Sequence, residues 1–207
     1  VIAMVGSLQF SLSGQGAGGG SKELYVYCFG DYFDPELVAE FEEKTGYKVT
    51  VDYFDTNEEM YPVIKNNTAD YDVICASDYM INKMIGEGLL QEIDFSAIPN
   101  SQYLQDNVRA LMDEFDPGMR HSVPHTWGTY GILYNTTMVD DPVESWSILW
   151  DEKYSQQIIM PNSLREGFMI SGKLLGYSMN TASEEELAEM TDKLIEQKPL
   201  VYSYAND

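Results

Sequence analysis

Basic residues are scarce in this sequence. It contains 12 Lys and Arg against 34 Asp and Glu, which gives a formal net charge of −22 at pH 7. Because phosphate groups bind to basic surfaces, this balance argues against a nucleic-acid partner and against anionic membrane surfaces. The negative charge is compatible with a cationic ligand. It is equally compatible with an acidic surface that only keeps the protein soluble.

Cysteines and long apolar runs are scarce too. The two cysteines, Cys28 and Cys75, each lie at the end of a predicted strand. Buried free thiols are the expected state, and a disulfide requires that the two strands are neighbours. No stretch of about 18 apolar residues occurs, so no segment of this chain is predicted to span a bilayer.

Catalytic and metal-binding motifs are missing as well. The sequence has no G-x-S-x-G, no Walker loop and no G-x-G-x-x-G after a strand. His121 and His125 form an H-x3-H pair, but they flank Pro124 in a predicted extended segment and would not share a helical face. The sequence therefore predicts a protein without enzyme activity, without a cofactor and without a metal site.

Alternating strands and helices are what the sequence does contain. Residues 24–46 read as a buried strand, a turn and an amphipathic helix that ends at a glycine. Residues 47–64 repeat this order, with Asn57 as the predicted helix cap, and residues 71–85 repeat it again. This alternation predicts an α/β fold with a parallel sheet.

Aromatic, hydroxyl and acidic residues follow the first and third of these strands. In an open parallel sheet, ligands bind at the carboxyl ends of the strands. Aromatic rings attract ammonium groups by cation–π interaction, and carboxylates form charge-assisted hydrogen bonds with them. The pattern predicts an amine site, while ring packing, and helix capping by serine, are the alternatives for single residues. The candidates are Phe29, Asp31, Tyr32, Ser77 and Tyr79.

The chain as a whole divides into three predicted parts. Residues 1–22 resemble the end of a secretory signal followed by a Gly-rich flexible tether, with a disordered arm as the alternative. Gln15 stands where a bacterial lipoprotein would carry its lipidated cysteine. We expect a first α/β lobe over residues 23–134 and the start of a second α/β lobe over residues 135–207.

Several segments resemble the periplasmic spermidine/putrescine-binding proteins of bacterial ABC transporters. They include CFGDYFDPELVAEFEEKTGYKV, YDVICASDYMINKMIGEGLLQEID, VPHTWGTYGILYN and LREGFMISGKLLGYSMNT, and they run in order from about residue 24 to residue 207. The resemblance implies a periplasmic-binding-protein-like two-lobed α/β fold, with the first lobe largely present and the second incomplete. It implies capture of a polyamine in a cleft and delivery to a membrane permease. The implied protein is a periplasmic or extracellular monomer, with N-terminal membrane tethering as an option.

The resemblance also implies roles for residues of the first lobe. The aromatic residue, carboxylate and tyrosine that follow the family's first strand fall on Phe29, Asp31 and Tyr32. The family's usual tryptophan and glutamate are replaced here by a smaller ring and a shorter acid. The serine and tyrosine after the third strand match Ser77 and Tyr79.

Two further positions lie in the second lobe. An acidic residue of the family matches Glu166, and Ser163, which is also a predicted helix cap, stands where the family has a second carboxylate. The lost anion is compatible with a shorter diamine such as putrescine, with another small amine or with an amino acid. The remaining determinants of the family would lie beyond residue 207, so we expect weak or no binding by these 207 residues alone.

Overall fold

The computed structural model describes residues 2–4, 22–30 and 32–205. The chain forms two compact units, Val1–Gly128 and Thr129–Asp207. The division therefore lies after Gly128, whereas the sequence placed it after residue 134. Most of the predicted tether lies outside the described residues, and so does Asp31.

A five-stranded sheet organises the first unit. Strand β2 is parallel to both β3 and β4, as the alternation of strands and helices predicted. Strand β1 is antiparallel to β4 and β5, and no strand was predicted for its residues from the sequence. The order across the sheet is β3-β2-β4-β1-β5. The strands are β1 (Ile2–Met4), β2 (Glu23–Phe29), β3 (Lys48–Phe54), β4 (Val73–Cys75) and β5 (Ser122–Val123).

Helices connect the parallel strands, and local capping explains where they begin and end. The helices of this unit are α1 (Pro35–Thr45), α2 (Asn57–Lys65), α3 (Asp78–Gly86) and α4 (Asp106–Met112). Asp34 caps α1 by accepting the backbone N–H of Glu36 at 2.8 Å. Gly46 ends α1 in the left-handed conformation at φ 73°, which favours glycine.

Apolar side chains from β2, β4, α2 and α3 form the core of the first unit. Met60, Ile74, Ile81 and Met84 are its fully buried members. The two cysteines are buried in this unit as free thiols, as expected. Burial, with a smaller contribution from the neighbouring Cys75, raises the pKa of Cys28 to about 11.

A buried carboxylate stabilises the chain before and at β5. Asp116 is 1% exposed. It accepts the backbone N–H groups of Arg120 at 3.1 Å, His121 at 2.9 Å and Ser122 at 2.8 Å, and also the Ser122 hydroxyl at 2.7 Å. These four hydrogen bonds compensate for the removal of the carboxyl group from water.

The second unit has a pair of parallel strands against two helices. Strand β6 (Ile158–Pro161) pairs with β7 (Val201–Ala205), and α5 (Leu164–Leu175) packs against α6 (Glu184–Gln197). Its buried core consists of Tyr154, Ile158, Met160, Ile170 and Val201. Across the described ranges of both units, no helix has the length and apolar character needed to cross a membrane.

Candidate functional site

The turn after β2 brings aromatic rings together. The ring centroids of Phe29 and Tyr32 lie 5.3 Å apart, and Phe29 also lies 4.4 Å from Phe54 at the end of β3. Both Phe29 and Tyr32 are half-buried, and Phe29 packs against the core. Asp31, which sequence reasoning placed between them as a ligand, lies outside the described residues and stays a prediction.

His125 covers part of this turn, which sequence reasoning did not anticipate. Its ring stacks on Tyr32 with centroids 5.4 Å apart and planes within 4° of each other, and Phe33 meets it edge-on. Desolvation is the main cause that lowers the pKa of His125 below its ordinary value of 6.5. The imidazole beside Tyr32 is therefore neutral at neutral pH and does not repel a cation there.

Asn57 joins the two candidate residues that follow β4. Its Nδ2 donates to Oγ of Ser77 at 2.9 Å and to the hydroxyl of Tyr79 at 3.1 Å. Its Oδ1 accepts the backbone N–H of Ser77 at 3.1 Å. Because a backbone N–H can only donate, this last contact fixes which end of the amide faces the two hydroxyls. Asn57 is 5% exposed, whereas Ser77 and Tyr79 are half-buried at the edge of the sheet.

Glu58 determines how the Tyr79 hydroxyl is oriented. The phenol oxygen lies 2.9 Å from Oε1 of Glu58, which is exposed. An ionised carboxylate can only accept, so the phenol donates its hydrogen to Glu58 while its oxygen accepts from Asn57. Any hydrogen bond between this hydroxyl and a ligand therefore uses the oxygen as acceptor.

The predicted cap of α2 was wrong, and the correction explains the role of Asn57. Thr56 is the N-cap and accepts the backbone N–H of Glu59 at 3.2 Å, so Asn57 is the first helical residue. Thr56 and Glu59 have the spacing of a capping box, which is the sequence signal that was overlooked. Ser77 occupies the N-cap position of α3, as predicted, but its side chain makes no capping hydrogen bond to that helix.

In the second unit, Ser163 and Glu166 lie at the start of α5, directly after β6. Oε2 of Glu166 is buried and has no hydrogen-bond partner in the part of the chain that the structure describes. Buried polar atoms nearly always have a partner, so this oxygen is suited to a donor from outside the chain. Ser163 occupies the N-cap position, but its side chain makes no capping bond, contrary to expectation.

A large cavity in the second unit has a different chemistry. It has a volume of about 780 Å³ and is lined largely by apolar and aromatic side chains, among them Ile132, Leu133, Trp146 and Ile159. Among the described residues, no Asp, Glu, Lys or Arg contributes to its lining. A cavity without an anion does not fit a charged amine, because desolvation of an ammonium group requires compensation by charge or hydrogen bonds.

Neither histidine takes part in a metal site within the described residues. These contain no group of three or more His, Cys, Asp or Glu side chains that could hold a metal ion. Nδ1 of His121 lies 3.2 Å from the carbonyl oxygen of Gln91, whereas the ring of His125 stacks on Tyr32. The two members of the H-x3-H pair therefore have different partners.

Comparison with known proteins gives a consistent set of relatives. A family model described as bacterial extracellular solute-binding protein matches residues 36–207. The spermidine/putrescine-binding periplasmic protein of Salmonella typhimurium is 33% identical over 186 residues, which cover 89% of this chain and 53% of that protein. The chain thus spans about half the length of the curated relatives it matches.

Solved structures agree with these relatives. A crystal structure of a spermidine/putrescine ABC transporter substrate-binding protein from Streptococcus pneumoniae is 41% identical, with a TM-score of 0.69. The match covers 89% of this chain and 56% of that chain. The crystal structure of a lipoprotein from Treponema pallidum is 31% identical with a TM-score of 0.83, over 89% of this chain and 58% of that chain.

Proposed function

Since this chain belongs to the bacterial extracellular solute-binding proteins, we propose that it captures a polyamine, putrescine or spermidine, for delivery to an ABC transporter permease. The periplasmic-binding-protein-like α/β fold expected from the sequence is confirmed by the solved structures to which the chain is similar. The proposal places the protein in the periplasm or outside the cell, like the relatives named above. It includes no chemical transformation of the ligand.

The observation that carries this proposal is the group of side chains at the carboxyl ends of β2, β3 and β4. Phe29 is the last residue of β2 and Tyr32 follows that strand, Glu58 lies after β3, and Ser77 and Tyr79 follow β4. In open parallel sheets, ligands bind at these carboxyl ends of the strands. The group combines aromatic rings, hydroxyl oxygens and a carboxylate, all of which attract an ammonium group.

Each element of this group has a defined interaction with an amine. The faces of aromatic rings such as Tyr32 contribute about 0.5 to 2 kcal/mol by cation–π interaction. The Tyr79 oxygen accepts a hydrogen bond, because its own hydrogen is directed to Glu58. The negative charge of Glu58 adds long-range attraction, which the overall charge of −22 reinforces.

Glu166 of the second unit supplies a further anion in this proposal. Its buried, unpartnered Oε2 among the described residues is the kind of atom that a protonated amine satisfies. The sequence alone predicts the same role for Asp31. Ser163 remains a candidate for a weaker polar contact. A ligand without a hydrogen-bond donor would leave Oε2 of Glu166 without a partner among the described residues.

Isothermal titration calorimetry of the full-length protein tests the proposal. Putrescine and spermidine should bind, and 1,4-butanediol, which has the length of putrescine without its charges, should not. γ-Aminobutyrate tests the amino-acid alternative. Binding of γ-aminobutyrate with no binding of either polyamine would refute the polyamine assignment while leaving a solute-binding protein.

Two variants assign the site residues. Tyr79→Phe removes the acceptor oxygen and should weaken binding of a charged amine by about 1.5 to 3 kcal/mol, and Asp31→Asn should do the same by sequence reasoning. Tyr103→Phe is the matched control, because Tyr103 is 76% exposed in the same unit. Equal affinities for Tyr79→Phe and Tyr103→Phe would remove Tyr79 from the site.

A further inference from the structure

Two successive residues at the start of α2, Asn57 and Glu58, contact the candidate site without being among its sequence-predicted members. Asn57 is buried, and it uses both the donor and the acceptor of its amide on residues that follow β4. Glu58 is exposed and contacts the hydroxyl of Tyr79. Neither contact is needed to begin the helix, because Thr56 already caps it.

We infer that Asn57 and Glu58 are positioning residues that determine the selectivity of the site for a charged amine. This inference rests on the proposed function. Asn57 holds the Ser77 turn and the Tyr79 ring at a fixed separation by three hydrogen bonds of 2.9 to 3.1 Å. Glu58 takes the phenol hydrogen, so that the site presents an oxygen that accepts and does not donate.

The directions of these hydrogen bonds explain why the pair favours an ammonium group. The Ser77 N–H fixes Oδ1 of Asn57 on one side, so Nδ2 must face the two hydroxyls. Tyr79 then accepts from Asn57 and donates to Glu58. An ammonium group only donates and an ionised carboxylate only accepts, so a site fixed as acceptor favours an amine over a carboxylate of the ligand.

Asn57→Ala is the first test, with Asn57→Ser as a second variant that keeps a small polar group at this helix position. In the full-length protein, either change should weaken putrescine binding about five- to tenfold, as expected when neutral hydrogen bonds that orient the site are lost. Thr56→Ala is the matched control. It removes the cap of the same helix and lowers stability, yet should leave putrescine affinity unchanged.

A double-mutant comparison separates positioning from general destabilisation. If Asn57 acts through Ser77 and Tyr79, then Asn57→Ala in a Ser77→Ala/Tyr79→Phe background should change affinity by less than about twofold. The same five- to tenfold loss in both backgrounds would overturn the inference. So would unchanged affinity in the single variants.

Glu58→Ala tests selectivity directly. The ratio of putrescine affinity to γ-aminobutyrate affinity should fall, because the phenol hydrogen is released and can be donated to a carboxylate of the ligand, which only accepts. Glu43→Ala is the control for loss of one negative charge, since Glu43 is exposed on α1. Equal ratios for the two variants would overturn the role of Glu58.

A ligand-independent measurement distinguishes failure of this inference from failure of the proposed function. Hydrogen exchange of the Ser77 amide, which donates to Asn57, should accelerate in Asn57→Ala and Asn57→Ser but not in Thr56→Ala. If the unsubstituted protein binds neither polyamine, the proposed function is refuted, and the exchange rates still decide whether Asn57 holds the turn. Unchanged exchange in the Asn57 variants would overturn the positioning role.

Discussion

Replacement of Glu166 by methionine should make the protein more stable and less able to bind its ligand. Oε2 of Glu166 is buried without a hydrogen-bond partner among the described residues, and such a group costs about 1 to 3 kcal/mol. Its place in the first turn of α5 offsets part of this cost, because an acid there contributes about 0.3 to 1 kcal/mol. Methionine has a similar length and no polar atom to desolvate. We therefore expect the free energy of unfolding to rise by about 0.5 to 2 kcal/mol.

Urea unfolding at neutral pH without ligand measures this change. Glu184→Met is the control, because Glu184 is an exposed acid in the first turn of α6. That variant loses only the favourable interaction with the helix dipole, so its stability should fall by about 0.3 to 1 kcal/mol. If Glu166→Met lowers stability as much as the control does, the buried oxygen is not a source of instability and the reasoning is refuted.

The same variant should bind putrescine more weakly in calorimetry. Loss of a charge-assisted hydrogen bond predicts a decrease of about 1.5 to 3 kcal/mol in binding free energy. A gain in stability together with a loss in affinity is typical of residues kept for binding. Unchanged affinity would remove Glu166 from the ligand site.

Three further changes have expected outcomes. The pKa of His125 is lowered in the fold, so as pH falls below 6.5 the unfolded chain binds a proton there before the folded chain does, and stability should fall. His125→Phe should reduce this loss, measured by urea titrations at pH 5 and pH 7. Protonation also places a cation beside Tyr32, so putrescine affinity should decrease over the same range, measured by calorimetry. Gly46 has φ 73°, which disfavours a side chain, so Gly46→Ala should lower the free energy of unfolding by about 1 to 2 kcal/mol, measured by thermal denaturation. Gly131→Ala is the control and should not lower it, because a Cβ at Gly131 would have no atom within 4 Å. Asp116→Asn should cost about 3 kcal/mol, measured by urea unfolding, because an amide cannot accept all four hydrogen bonds of the carboxylate.

Each of these expectations would be refuted by a different result. A His125→Phe variant with the pH dependence of the unsubstituted protein would show that this ring does not control stability. Equal losses for the two glycine variants would assign the effect to something other than backbone conformation. An Asp116→Asn variant of normal stability would mean that the buried carboxylate is replaceable.

The parallel part of the first sheet was predictable because each strand is followed by a strong helix signal. Residues 24–46 contain a compact β-forming run and a helix that ends at Gly46, and the structure has β2 and α1 there. Position at the carboxyl ends of strands then placed Phe29 and Tyr79 near one edge. Strand β1 was missed because residues 2–4 were interpreted as the end of a secretory signal, and because their pairing partners β4 and β5 lie far along the chain.

The side chains that orient the site were harder to predict, because their roles depend on tertiary contacts. Asn57 is as good a helix cap as Thr56 by residue type, and only the choice of Thr56 as cap leaves its amide available for Ser77. The contact between His125 and Tyr32 joins residues far apart in sequence, and no local pattern reports it. The sequence thus predicts the residues that follow the strands better than those that hold them in place.

The two buried thiols offer a way to observe opening of the first unit by itself. Cys28 and Cys75 are the only cysteines of the chain, and both lie in strands of the first sheet with 0% exposure. A thiol-specific reagent can modify them only in molecules whose sheet has transiently separated, so the labelling rate measures how often that happens. Unfolding confined to residues 129–207 would leave this rate unchanged, since that segment has no cysteine to react.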